Sequence, residues 1–425
     1  MVNLVKKYMA HTPLRLMSIL LLLILMMCGY LISYFRYAKP RGFKGDFYAA
    51  MYDPNWWDGQ GIIYGPIFVI ERWVVNSFPN VATVEFFAIT SLVLILLCLV
   101  ISIRTINAHG NLLVFGIAVW SLNSFFYYSF SVASNPEILE LFFLICMWWS
   151  FTNKHFSLAY LLFTFAVLTK MVPIILAPLF LLSISWSGIA LGLLTALIVF
   201  SVVSLGQNQS LLESLTQTLS VNPVDPQPTS EQFLGLNSAL SRMFGISDGG
   251  NFHTVETLSF VLLLVLYAWA ILVLLGFLQL KTELGHREVF TYFFALFMTL
   301  LPLMHFGQTH RHTFIFLTPV FVAMKYLTSL IEDLKTQRRY NKIFNLIFIA
   351  YAFFPIYGLD FYNFDELGGV VFFKEFQSTM IMLTEPVWIN ILLFLIVLRF
   401  GSKVMNLKVG NNPLVDIRKS RARNI

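Results

Sequence analysis

Long apolar runs recur along almost the whole chain, and this pattern constrains the fold more than any other feature of the sequence. The 425 residues are 58% hydrophobic and only 12% charged, whereas soluble domains carry roughly 25% charged residues. A helix of about 20 apolar residues crosses a bilayer core of ~30 Å, and its backbone polar groups are satisfied within the segment. We find none of the alternating segments that are typical of membrane β-barrels. We therefore expect an all-α, polytopic membrane protein.

The apolar runs divide into twelve predicted transmembrane helices. We place them at about residues 14–35, 83–103, 112–131, 137–152, 156–169, 173–186, 188–206, 257–280, 289–304, 313–331, 343–359 and 386–400. Long polar loops interrupt them at about 36–80, 207–255 and 360–385. The segment from Pro66 to Phe78 is mostly apolar but carries Glu71 and Arg72, which predicts a short amphipathic helix in the membrane interface. Residues 1–400 are thus one transmembrane domain, followed by a basic tail at 401–425.

Basic residues predict the orientation of the chain. Lys6 and Lys7 precede the first helix and Arg15 lies at its start, which places the N-terminus in the cytoplasm by the positive-inside rule. Twelve crossings then put the other short basic loops and the C-terminus in the cytoplasm, and all long polar loops on the outer face. Topology accounts for the net charge of +6, so we expect no nucleic-acid partner.

The three cysteines indicate no metal centre or disulfide framework. Cys28, Cys98 and Cys146 lie far apart in sequence, each within an apolar run. Neither paired spacing nor neighbouring ligands accompany them.

The first outer loop holds the candidates for a catalytic base. Asp46 precedes the aromatic residues Phe47 and Tyr48, which favours a partly dry site where a carboxylate can accept a proton. Asp53 and Asp58 fall in turn-forming sequences. The residues alone leave open which of the three carboxylates is the base.

Candidate phosphate ligands lie on the same predicted face. Lys170 ends the fifth predicted helix, where it is either a snorkelling lysine or a point charge for a phosphate. His305, His310, Arg311 and His312 fall within eight residues at a helix junction. Arginine and histidine donors at the start of a helix suit a phosphate. A zinc site would need a further ligand, and no cysteine or carboxylate lies near these residues in sequence. We therefore predict no metal site here. A requirement for a divalent metal elsewhere, and a purely structural role for the histidines, stay open.

Three other polar residues open onto this face. Glu137 belongs to an ordinary helix start, Asn135-Pro136-Glu137, and can also contact a sugar hydroxyl. Asn237 begins a polar helix in the second outer loop, and Arg242 follows it as a candidate anion ligand.

Together these motifs resemble the GT-C membrane glycosyltransferases, and more narrowly glycosyltransferase family 87. The resemblance covers about residues 14–330 and rests on four short motifs in order. These are Asp46-Phe47 with Tyr64-Gly65-Pro66, Lys170 with Pro173 and Pro178, Asn237-Ser238 with Arg242, and His310 and His312 with Pro319. The chain departs from the family at Ser134-Asn135-Pro136-Glu137, where family members often carry Gly-Gln.

The resemblance implies a GT-C-type fold with an outer-face active site and a lipid-linked donor. The donor would be a sugar on a polyprenyl phosphate, most commonly mannose, with arabinofuranose and other sugars open. The acceptor would be a glycolipid or a glycan, and the remaining partners membrane lipids; no further cofactor is implied.

The resemblance also implies roles for the candidate residues. Asp46 would be the general base of an inverting transfer. The donor phosphate would be bound by Lys170, Arg242, His310, Arg311 and His312, and the sugar or the acceptor by Phe47, Tyr48, Tyr64, Glu137 and Asn237.

Two other functions compete with this interpretation. An outer-face polysaccharide polymerase or ligase would also use a lipid-linked sugar, but its donor would be a diphosphate-linked oligosaccharide. A transporter or flippase would place ionisable residues in mid-membrane and show repeated halves, and we detect no matching halves in this sequence.

Overall fold

A computed structural model describes residues 2–35, 65–78, 84–123, 137–219, 236–244, 250–279, 285–304, 311–353 and 386–410. Across these ranges the chain is helical and contains no β-strand, which confirms the all-α prediction for this part. The α-helices are α1 Val2–Ser33, α2 Pro66–Ser77, α3 Val84–Thr105, α4 Asn111–Ser121, α5 Glu137–Thr152, α6 Phe156–Thr169, α7 Trp186–Gln207, α8 Leu211–Leu219, α9 Leu236–Phe244, α10 Gly250–Gln279, α11 His286–Leu300, α12 Thr318–Ser329, α13 Leu334–Phe353 and α14 Pro386–Gly410. Two 3-10 helices, Val172–Leu182 and Arg311–Leu317, complete them.

A helix occupies each of the twelve predicted positions, but fewer helices meet the length and polarity of a membrane span. Within the described residues, four do so: Pro13–Leu31, Glu85–Thr105, Trp186–Gln207 and Thr254–Leu278. The other apolar helices, such as Asn111–Ser121 and Phe156–Thr169, are shorter than the roughly 20 residues that a bilayer core requires. The four spans indicate a membrane protein, and the count of twelve crossings stays a prediction.

The sixth predicted helix differs from expectation, because Val172–Leu182 is a 3-10 helix. Pro173 lies in its first turn and Pro178 in its interior. An interior proline cannot donate to the carbonyl four residues earlier and collides with it in an α-helix, which is a physical reason for the altered geometry. The tenth predicted helix likewise opens with the 3-10 helix Arg311–Leu317 before α12 begins.

Aromatic contacts show how α5 is oriented relative to α11. Phe151 stacks on Phe290, with ring centroids 3.8 Å apart, and Trp148 stacks on Phe294 at 5.0 Å. The indole of Trp148 also donates a hydrogen bond to Thr291 (3.1 Å). Earlier residues of α5 thus contact later residues of α11, so the two helices are antiparallel. The N-terminus of α5 therefore lies at the same end of the bundle as the C-terminus of α11.

The helices α6 and α7 run parallel, because the 3-10 helix Val172–Leu182 returns the chain between them. Tyr160 packs on Gly188, and Thr164, one turn later, packs on Gly192. At the C-terminal end of α6, Leu168 joins Val199 and Phe200 in a small apolar cluster. The short helix α2 covers this cluster through Ile67 and Ile70. The predicted helix at 66–78 is confirmed, and its interfacial location stays a prediction.

Candidate functional site

Helix geometry brings Glu137 and Lys170 together. The helices α5 and α6 are joined by a tight turn and have 16 and 14 residues, which correspond to about 24 and 21 Å at 1.5 Å per residue. Their far ends, Glu137 and Lys170, therefore meet. The ammonium of Lys170 donates to Oε1 of Glu137 at 2.7 Å, and both side chains are buried, with exposures of 8% and 1%. The sequence predicted separate roles for these two residues, and the structure pairs them.

Glu140 adds a second carboxylate to this pair. It follows Glu137 by three residues, so both side chains lie on one face of α5. Glu140 is fully buried and interacts electrostatically with Lys170 and Glu137. Among the described residues, neither of its carboxylate oxygens has a hydrogen-bond partner. A buried carboxylate requires a proton or a partner, so this position can accept a hydroxyl group or hold a proton.

Sequence reasoning missed Glu140. The available signal was its spacing from Glu137, since two carboxylates three residues apart are unusual in an apolar helix. The ordinary interpretation of Glu137 as a first-turn residue concealed this pattern.

Gly65 contacts the backbone of α6 directly before Lys170. Its backbone N–H donates to the carbonyl of Thr169 at 2.8 Å, directly before Lys170. A Cβ atom at this position would lie 2.0 Å from the carbonyl oxygen of Leu168, so the contact requires a glycine. Gly65 therefore contacts the end of α6 that carries Lys170.

The 3-10 helix Arg311–Leu317 packs against α5. A buried network fixes its backbone: the hydroxyl of Tyr351 donates to the carbonyl of Phe314 (2.5 Å). The amide of Asn123 donates to Tyr351 (3.2 Å) and to Thr318 (2.6 Å). The end of α13 and Asn123, which follows α4, thus hold the segment that begins with the predicted phosphate ligand Arg311.

The helix α9 carries Asn237 as a buried residue. Asn237 is 4% exposed, and Ser241, one turn later, is fully buried, so both lie on the face of α9 that is turned inward. This helix packs against α10.

Several predicted site residues lie outside the described part of the chain. These are Asp46, Phe47, Tyr48, Asp53, Asp58, Tyr64, His305 and His310. For Arg242, Arg311 and His312 the structure describes the backbone alone. Among the residues that are described, no group of three or more potential metal ligands occurs.

Comparison with known proteins gives one significant result. The model of glycosyltransferase family 87 matches residues 63–302, which is more than half of the chain. The matched region includes Gly65, Glu137, Glu140, Lys170 and Asn237. No curated protein and no solved structure matches significantly.

Proposed function

Because this chain belongs to glycosyltransferase family 87, we propose that it transfers a single sugar, mannose, from a polyprenyl phosphate to a lipid or glycan acceptor. Family membership makes the chain a membrane glycosyltransferase, and the donor and the sugar are the proposal. The observation that carries it is the buried pair of Lys170 and Glu137, which lies where Gly65 contacts α6.

Lys170 binds the donor phosphate in this proposal. A lysine ammonium has three N–H donors, so its bond to Glu137 is compatible with a second bond to a phosphate oxygen. Glu137 acts as a positioning residue, because its carboxylate holds the ammonium at the end of α6. Arg311, with His310 or His312, offsets the charge that develops on the leaving phosphate, and Arg242 is a further candidate ligand.

The transfer inverts the anomeric centre, with Asp46 as the general base. The acceptor oxygen attacks the anomeric carbon while its proton passes to the Asp46 carboxylate. The bond from that carbon to the phosphate oxygen breaks, and the polyprenyl phosphate leaves with the electron pair. Phe47, Tyr48 and Tyr64 stack on the sugar, and Asn237 binds a hydroxyl group.

The proposed donor also agrees with an active site on the outer face of the membrane. Nucleotide sugars are cytoplasmic, so an active site on the outer face requires a donor that a lipid carries across. Twelve crossings with both termini in the cytoplasm put Asp46, Lys170 and Arg311 on that outer face.

The donor class is tested by transfer with purified protein. Polyprenyl-phosphate mannose, a polyprenyl-diphosphate oligosaccharide and a nucleotide sugar are supplied separately with a membrane glycolipid fraction, and products are identified by mass spectrometry. We expect a mass increase of one hexose with the first donor only. Transfer of an oligosaccharide would support a polymerase or ligase instead, and movement of donor across vesicles without a product would support a transporter.

The base is tested by Asp46→Asn, compared with Asp53→Asn and Asp58→Asn. General-base catalysis contributes roughly 10²- to 10⁴-fold, so we expect Asp46→Asn to lose at least about 100-fold in transfer rate. We expect Asp53→Asn and Asp58→Asn to keep most of the wild-type transfer rate. Wild-type activity of Asp46→Asn, with loss in one of the other two, would reassign the base.

A further inference from the structure

A polar pocket lies at the end of the bundle opposite the Lys170–Glu137 pair. It forms where the turn between α5 and α6 meets the start of α7, and its volume is about 650 Å³. Its polar lining consists of Lys154, His155, Ser157, Ser185 and Ser187, with Trp149 beside them. The length of α6, 14 residues, separates it from Lys170 by about 21 Å. The pocket is therefore distinct from the proposed donor site.

The pocket offers hydrogen-bond donors and a positive charge. Lys154 is exposed, and within the described part of the chain its ammonium forms no hydrogen bond or ion pair. The hydroxyl of Ser187 lies 2.9 Å from that of Ser157 and 3.2 Å from that of Ser185. No carboxylate is among the described residues that line the pocket. A cation beside a row of hydroxyl groups suits the oxygens of a phosphate.

The pocket also lies beside the start of a candidate membrane span. Trp186 is the first residue of the candidate membrane span Trp186–Gln207 and is 79% exposed. Ile184, two residues before the span, is also exposed. Tryptophan is enriched at membrane–water interfaces, and lysine in the cytoplasmic loops between membrane spans. A phosphate in the pocket would thus have apolar, exposed helix surface beside it, as a phospholipid requires.

We propose that this pocket binds the headgroup phosphate of an anionic phospholipid, in the leaflet where α7 begins. The Lys154 ammonium pairs with the phosphate, and the hydroxyls of Ser157 and Ser187 donate to its oxygens. The acyl chains lie along the exposed leucines of α7, which include Leu193 and Leu194. This lipid takes no part in sugar transfer and stabilises the turn between α5 and α6.

The backbone conformation at Lys154 indicates which substitution removes the charge without disturbing the fold. Lys154 has φ of 65°, and its N–H donates to the Phe151 carbonyl while that of His155 donates to Ser150. This pattern is a Schellman helix end, whose left-handed position is usually glycine or asparagine. The other two non-glycine residues with positive φ in the described chain are Asn107 and Asn208. Lys154→Asn therefore removes the charge and keeps a residue that the chain itself uses in this conformation.

The experiment measures the lipid retained by purified full-length protein. Wild type, Lys154→Asn, Ser187→Ala and the control Lys335→Asn are exposed in detergent to phosphatidylglycerol or phosphatidylcholine, and bound lipid is counted by native mass spectrometry. Lys335 is an exposed lysine of α13 outside the pocket. Parallel samples contain inorganic phosphate as a competitor, and the midpoint of thermal unfolding without added lipid checks the fold.

We expect wild type and Lys335→Asn to retain phosphatidylglycerol in preference to phosphatidylcholine. In Lys154→Asn, affinity for phosphatidylglycerol falls about fivefold, since a lysine near an anionic membrane surface contributes about 1 kcal/mol. Ser187→Ala weakens it less, and neither variant unfolds earlier than wild type. Equal retention of phosphatidylglycerol by wild type and Lys154→Asn would overturn the proposal. So would equal retention of both lipids, or displacement by millimolar inorganic phosphate, which would assign the pocket to a soluble anion.

Discussion

Gly65 has no Cβ atom, and this allows its backbone to approach the backbone of α6. The Gly65 N–H donates to the carbonyl of Thr169, and the neighbouring residue of that carbonyl is Lys170. Any side chain at position 65 would meet the backbone of Leu168, which cannot rotate away. The contact between Gly65 and the end of α6 therefore requires a residue without a Cβ atom.

Gly65→Ala should displace residue 65 and α2 from α6. Overpacking of this kind costs typically 1–3 kcal/mol, so we expect a lower midpoint of thermal unfolding in detergent and a loss of transfer activity. The matched control is Gly276→Ala in α10, where an added Cβ meets nothing within 4 Å. That control should unfold at the wild-type midpoint or slightly above, because alanine favours helix over glycine by about 1 kcal/mol. An unchanged midpoint and activity of Gly65→Ala would contradict the close approach.

Among the helices, the 3-10 helix Arg311–Leu317 depends on the end of α13 for its position. Tyr351 on α13 donates to the carbonyl of Phe314 and accepts from Asn123. A 3-10 helix of this length is uncommon by itself, because its hydrogen-bond geometry is poorer than that of an α-helix. The external bonds therefore stabilise the segment that begins at Arg311.

Tyr351→Phe tests this dependence. The variant removes the hydroxyl that donates to the buried carbonyl of Phe314; a hydrogen bond of this kind contributes about 0.5–1.5 kcal/mol, and its loss loosens the segment. Tyr340→Phe is the matched control, because Tyr340 is buried against Phe344 and Phe400 and its hydroxyl forms no hydrogen bond with the described residues. We expect Tyr351→Phe to unfold at a lower temperature and to transfer sugar more slowly, while Tyr340→Phe resembles wild type in both. Identical behaviour of the two variants would show that the network does not position the segment.

At the scale of the whole molecule, the sequence predicted the helical architecture well. Apolar runs determine where helices form, and every predicted run contains one, because apolar segments of this length have few alternatives in a membrane. The 3-10 geometry at 172–182 was less predictable. Pro173 and Pro178 indicated a break but not which local conformation would accommodate it.

The geometry of the candidate site could be predicted only in part, because the residues that contact one another there are distant in sequence. Lys170 and Glu137 were both identified as outer-face residues, but their ion pair depends on two helices of nearly equal length folding back on each other. The role of Gly65 depends on the path of α6, which periodicity does not reveal. Glu140 was missed because its burial arises from packing against other helices, and not from its own neighbours.

The proposed binding of the donor phosphate by Lys170 is tested most directly by the kinetics of paired variants. Loss of one partner of a buried ion pair costs about 3–5 kcal/mol of stability, whereas neutral replacement of both is often tolerated. We therefore compare wild type with the double variant Glu137→Gln/Lys170→Met, which removes both charges. Glu137→Gln, which keeps an oxygen acceptor for Lys170, is included as a reference; we expect it to unfold at a lower temperature because it removes one charge of the pair.

The measurement is the KM for polyprenyl-phosphate mannose and the kcat of each purified variant. A hydrogen bond to a charged group contributes about 1.5–3 kcal/mol, so the double variant should raise the donor KM at least about tenfold, while Glu137→Gln stays within about threefold of wild type. A double variant that is folded and retains the wild-type KM and kcat would contradict the assignment of Lys170 to the donor phosphate.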